Sequence, residues 1–186
     1  MARRLVIGIS GASGSHLAYR LLQYLNTLDI ETYVIVTNGA KRTWECEMKE
    51  DISVLKDVCT KLLDNTDIGA CIASGSFKTE GMIIVPCSMK TIAGIASGYS
   101  DNLLLRAADV MIKEKRKLVL MFRENPMSPI HFKNLEILSN IYSIYLMPMV
   151  MTYYNHPQSI EDMEDSLIGK MLDPFEIEYD GYKRWK

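Results

Sequence analysis

Five side chains suited to a phosphorylated ligand stand directly after two apolar runs. Residues 82–85 lead through Pro86-Cys87 into Ser88-Met89-Lys90-Thr91, and residues 118–122 lead into Arg123-Glu124-Asn125. Hydroxyls and an ammonium can meet phosphate oxygens, and the Arg123 fork suits bidentate contact. An acid placed beside a phosphate can hand a proton to the leaving group. Each turn also has a plain reading, with Ser88 as a helix cap and Arg123-Glu124 as a solvated pair. The repetition favours function: in an open parallel sheet both turns fall at the carboxyl edge, where ligands bind.

A third turn belongs with these two. Gly8, Gly11 and Gly14 punctuate the end of an apolar run at 5–10. Their G-x-x-G-x-x-G spacing is not the dinucleotide fingerprint. Small residues before a helix still let a ligand approach the backbone, and the helix start offers N–H groups to an anion. Cys87 reads as a packed thiol without a histidine partner, and His131 as a capping or packing residue. Met147, Met149 and Met151 read as core or subunit contacts. The charged helix at 101–117 is mainly a solvated face, within which Arg106 and Lys113 are candidates to turn inward.

The elements that must position these residues alternate. Strands are expected at 5–10, 30–37, 68–73, 82–86, 117–122 and 143–147. Helices are expected from Ser15, after the Thr37-Asn38-Gly39 break through Trp44 to Glu47, over 52–63, from Lys90 to a stop at Gly98, and from a capping Asp101 to Lys115. Two more run from a Ser128-Pro129 start to about Asn140 and from a Ser159–Asp162 capping box to Leu172. That alternation implies a single three-layer α/β domain, residues 1–186, around a mostly parallel sheet.

Bulk properties remove several classes. The 186 residues are 48% apolar and 24% charged with net charge −2, so no basic field invites nucleic acid. No apolar run reaches the length of a membrane span, and MARRLVIGIS enters a strand rather than a signal peptide. A cytoplasmic protein is expected. The four cysteines lack C-x-x-C spacing and paired histidines, which argues against a metal site or disulfide framework.

Longer stretches resemble one family. GASGS at 11–15, GMIIVPCSMKTIAGIASG at 81–98, DNLLLRAADV at 101–110, KEKRKLVLMFRENP at 113–126 and IHFKN at 130–134 are similar to the UbiX-like flavin prenyltransferases. The Pro-Ala-Ser-Ala-Asn-Thr run of the related cysteine decarboxylases is absent. The resemblance implies a flavodoxin-like fold and a metal-independent transfer from dimethylallyl phosphate to N5 and C6 of reduced FMN. Prenylated FMN would then serve a UbiD-type decarboxylase, and the enzyme would be a homododecamer with sites at subunit contacts. It assigns Gly11, Ala12, Ser13, Thr37, Ser88, Met89, Lys90, Thr91 and Arg123 to the flavin. It gives Glu124, Ser13, Glu47 and Trp185 to the chemistry, with Glu47 reaching a neighbouring subunit's site and Trp185 closing over the allyl group. Tyr154 and Lys170, with Arg106 and Lys113, would hold the donor phosphate. Lys170 stands where many relatives carry Arg. The competing reading is a non-catalytic FMN carrier for a decarboxylase.

Overall fold

Side-chain alternation along the strands sets the layers of the computed structural model, which describes residues 2–184. Strand β1 (Arg3–Ile9) sends Leu5, Ile7 and Ile9 to one face and Val6 to the other. Strand β4 (Gly81–Cys87) divides Ile83 and Val85 from Met82 and Ile84, and β5 (Lys117–Phe122) divides Val119 and Met121 from Leu118 and Leu120. Both faces are covered, so these strands are nearly continuous apolar runs. Each fully buried Leu or Ile contributes about 1.5–3 kcal/mol.

Helices α1 (Ser15–Leu25), α2 (Asn38–Glu47) and α6 (Ile160–Leu172) contribute buried side chains to the first face. Helices α3 (Met89–Ala96), α4 (Leu103–Lys113) and α5 (Pro129–Ser139) contribute to the second. With β2 (Ile30–Val36), β3 (Lys61–Leu63) and β6 (Ile144–Pro148), the sheet order is β3-β2-β1-β4-β5-β6, and every pairing is parallel. Without the three-residue edge strand this is the five-strand flavodoxin-like order. The chain winds outward from β1 to β3 and returns beside β1 as β4. The crevice at that reversal, beyond the carboxyl ends of β1 and β4, is where such folds bind ligands.

Several local expectations change. Residues 52–63 form a 3-10 turn (Ile52–Asp57) and β3 rather than one amphipathic helix. Thr32 N–H donates to Thr60 Oγ1 at 2.9 Å and Thr60 N–H to Thr32 Oγ1 at 3.2 Å, which draws the chain onto the sheet edge. The strand expected at 68–73 is a short 3-10 turn, Cys71–Ala73. Asn102, not Asp101, caps α4 by accepting Leu105 N–H at 3.0 Å. Asn65 satisfies two further N–H groups of that helix, from Leu103 and Leu104. Ser159 accepts Asp162 N–H as expected, but Asp162 Oδ2 takes Gln158 N–H, so the box is not reciprocal. His131 does cap: its Nδ1 accepts Ser128 N–H while Ser128 Oγ accepts His131 N–H. Gly98 ends α3 with φ +68°.

Candidate functional site at the carboxyl edge of the sheet

Ser10, the residue after β1, ties two of the turns together. Its hydroxyl is buried, donates to Pro86 O at 3.0 Å and accepts Ser88 N–H at 2.8 Å. Ser88 Oγ then accepts Thr91 N–H at 3.3 Å and lies 3.1 Å from Thr91 Oγ1. A chain of three hydroxyls thus spans the reversal point. Ser88 is a cap, as its plain reading held, and also part of a groove. Thr37 caps α2 in the same way, accepting Ala40 N–H at 3.1 Å.

Gly11, Thr37, Ser88, Lys90 and Thr91 line one open groove of about 700 Å³. Asn38, Gly39, Asn65, Tyr99 and Asn102 continue its wall. The floor is narrow because two backbones touch: a Cβ on Gly11 would lie 2.9 Å from Gly39 C. The starts of α2 and α3 both open on this space, and their first N–H groups favour an anion. Met89 departs from its expected role. Its side chain is in the core, so only its backbone can face a ligand. Asn38, Gly39, Asn65, Tyr99 and Asn102 in the wall, and Ser10 behind it, carry no sequence assignment to the site; for Ser10, a hydroxyl at a strand end immediately before glycine was the available signal.

Glu47, at the end of α2, accepts N–H groups from Ser15 at 2.8 Å and Gly14 at 3.1 Å. Burial pushes its carboxyl up, but hydrogen bonds from Ser13, Ser15 and Gly14 outweigh that and hold it below the ordinary 4.5. This carboxylate therefore occupies the start of α1 and holds the turn at Ser13, one residue past Ala12; neither Ala12 nor Ser13 lines the groove. Trp44, buried edge-on to Tyr19 at 5.9 Å, keeps α2 against α1.

One strand over, Arg123 and Glu124 leave β5 with exposed side chains. Arg123 N–H donates to Cys87 O at 3.3 Å, so this turn is stitched to the end of β4. Glu124 Oε1 accepts only the N–H of Asn125, at 3.1 Å, and the two make no ion pair among the described residues. Both remain available to a ligand. Cys87 is fully buried and desolvation drives its thiol pKa far up, which removes it as a nucleophile. No cluster of three His, Cys, Asp or Glu suited to a metal occurs among the described residues.

A flavoprotein family model matches residues 1–177. A probable UbiX-like flavin prenyltransferase of Sedimentibacter hydroxybenzoicus is 45% identical over 184 residues, covering 98% of this chain and 97% of the relative. The chain belongs to the UbiX-like flavin prenyltransferase family. The crystal structure of AnUbiX with FMN and dimethylallyl pyrophosphate superposes with a TM-score of 0.97 at 38% identity, covering 100% of this chain and 98% of that one. A dodecameric FMN-dependent Ubix-like decarboxylase from Escherichia coli O157:H7 gives 0.94 at 40% identity, with 98% of each chain covered.

In this UbiX-like chain the remaining assigned residues do not join the groove. Arg106 donates to Ala73 O at 3.1 Å and pairs with Asp109 at 2.6 Å. Lys113 pairs with Glu114 at the far end of α4, roughly 10 Å further down the helix from Arg106. Tyr154 is exposed on the loop after β6. Lys170 lies on the outer side of α6, 3.6 Å from Asp173. None of these four lines the groove, and α6 belongs to the opposite layer from α3 and α4. Trp185 falls outside the described residues.

Proposed function

We propose that this protein is a flavin prenyltransferase, moving the dimethylallyl group of dimethylallyl phosphate onto N5 and C6 of reduced FMN. The observation that carries the reading is the groove at the β1/β4 reversal, with Arg123 and Glu124 one strand over and making no ion pair among the described residues. The groove suits a flavin mononucleotide in chemistry: a small-residue floor at Gly11 and Gly39, hydroxyls at Thr37, Ser88 and Thr91, and two helix starts for the phosphate. Bound reduced flavin supplies the nucleophile. The residues supply the rest. Arg123 neutralises charge, Glu124 protonates the departing phosphate and later removes a proton, and Ser13 and Glu47 line the approach. AnUbiX, solved with FMN and dimethylallyl pyrophosphate, supports the ligand pair.

Tyr154, Lys170, Arg106 and Lys113, proposed as donor-phosphate ligands, lie off the chain's own groove. Their roles require a second copy, and Glu47, which caps α1 of its own chain, is proposed to present that edge to a neighbour's site. The dodecameric Escherichia coli relative supports a homododecamer, and exposed Ile130, Phe132, Tyr142, Val150, Met151 and Tyr153 give such contacts apolar surface. Trp185 is proposed to close over the allyl group, where water would otherwise capture the developing cation. Prenylated FMN would pass to a UbiD-type decarboxylase in the cytoplasm. No helix among the described residues is long and apolar enough to cross a membrane.

Anaerobic incubation with reduced FMN and dimethylallyl phosphate, followed by mass analysis, tests the reading. A flavin heavier by one isoprene unit is expected. FMN bound but unchanged, with mono- and diphosphate donors alike, would leave an FMN carrier.

A further inference from the structure

The last described residues bridge Lys170 and the loop that carries Tyr154, both of which the proposed function gives to the donor phosphate. Tyr182 packs closely against α6 at Gly169, where a methyl group would sit 2.2 Å from Tyr182 Cγ and 2.4 Å from its Cβ. Gly169 is in the helix interior, where glycine costs about 1 kcal/mol relative to alanine. No positive φ at this position calls for glycine. Room for the ring is what the missing side chain provides.

Two cations flank that ring. Lys170 Nζ lies 5.6 Å and Arg184 Cζ 5.0 Å from its centroid, both within cation–π reach. Both also reach Asp173, at 3.6 Å and 2.7 Å. One residue past the ring, Lys183 O accepts Asn155 Nδ2–H at 2.8 Å. Asn155 directly follows Tyr154. Residues 182–184 therefore join the Tyr154 loop to Lys170, two places 16 positions apart in sequence, through the Asn155 hydrogen bond at one end and the ring and hydroxyl of Tyr182 at the other. Further back, Tyr179 OH donates to Asp165 at 2.6 Å and Arg20 holds the same carboxylate at 2.7 Å, which anchors the segment on α6 and α1.

We propose that Tyr182 is a positioning residue for the prenyl donor, seated by Gly169 and holding Lys170 and the Tyr154 loop in register for a phosphate. The role rests on the proposed function, since it presumes that Tyr154 and Lys170 bind that phosphate.

Gly169→Ala is the informative variant, because alanine favours the helix and its nearest collisions are all with Tyr182. It should raise the donor KM about tenfold, since small misplacements are costly. FMN Kd should stay within about twofold and Tm should hold or rise. Tyr182→Ala should match it, and Tyr182→Phe, which keeps the ring but loses the hydroxyl's hydrogen bond to Lys170, should recover most of the donor KM. If Gly169→Ala fails to fold, Tyr182→Ala and Tyr182→Phe decide. A donor KM unchanged in the alanine variants of an active enzyme overturns the role while leaving the function standing. A wild type that binds no dimethylallyl phosphate by calorimetry and forms no product overturns the function itself, and this role with it.

Discussion

The groove proposed for flavin and the patch proposed for the donor are built by opposite means. The groove sits on strand ends and helix starts, and its hydroxyls are fixed by buried and part-buried hydrogen bonds through Ser10 and Ser88. The patch rests on a loop, the outer side of α6 and a terminal segment, joined by exposed contacts such as Asn155 to Lys183 and Arg184 to Asp173. A groove of this kind is preorganised by the fold that surrounds it. Exposed contacts of this kind contribute little to stability. Substitutions in the groove should therefore disturb fold and flavin together, whereas those in the patch should disturb the donor alone.

The largest expected effect falls between the two regions. Glu124→Gln should slow product formation by about two orders of magnitude while sparing FMN affinity, checked by single-turnover kinetics and flavin titration. Unchanged turnover would remove Glu124 from the chemistry. Next comes Ser10→Ala, which leaves the Ser88 N–H without its acceptor. A loss of about 1–3 kcal/mol in urea unfolding, together with weaker FMN binding, is expected. Full stability in that variant would mean the hydroxyl chain does not organise the groove.

Glu47→Gln should cost about 1 kcal/mol at neutral pH, from the lost charge at the start of α1. Because the folded carboxyl titrates below 4.5, its contribution is complete above the unfolded pKa and disappears as pH falls through the folded value. Wild-type and variant stabilities should converge in acid; a pH-independent gap would contradict the ionic account. The smallest stability effect belongs to the patch. Asn155→Ala should change unfolding free energy by less than about 0.5 kcal/mol yet raise the donor KM.

The same contrast explains what the sequence disclosed. Apolar runs at β1, β4 and β5 are long and buried on both faces, so they and the polar turns after them were legible. So were the Ser128-Pro129 start and the Gly98 stop, which depend on local backbone chemistry. The strand β3 was not, because three residues become a strand only through Thr32 and Thr60 across the sheet edge. Asn65 escaped for a similar reason, since it caps α4 from 39 positions away. Met89 looked like a turn residue and is core. The resemblance named Tyr154 and Lys170, yet only the folded chain shows that they sit apart from the groove and that Gly169 makes room for Tyr182.

The central claim is that a working site joins the groove of one copy to the donor patch of another. Co-expression of Glu124→Gln with Lys170→Met tests it most directly, because each variant leaves the other half intact. If copies complete each other's sites, mixed assemblies will form prenylated FMN well above the sum of the two separate variants. Activity equal to that sum, in assemblies shown to contain both chains, would place groove and patch of a single chain in one site and contradict the account.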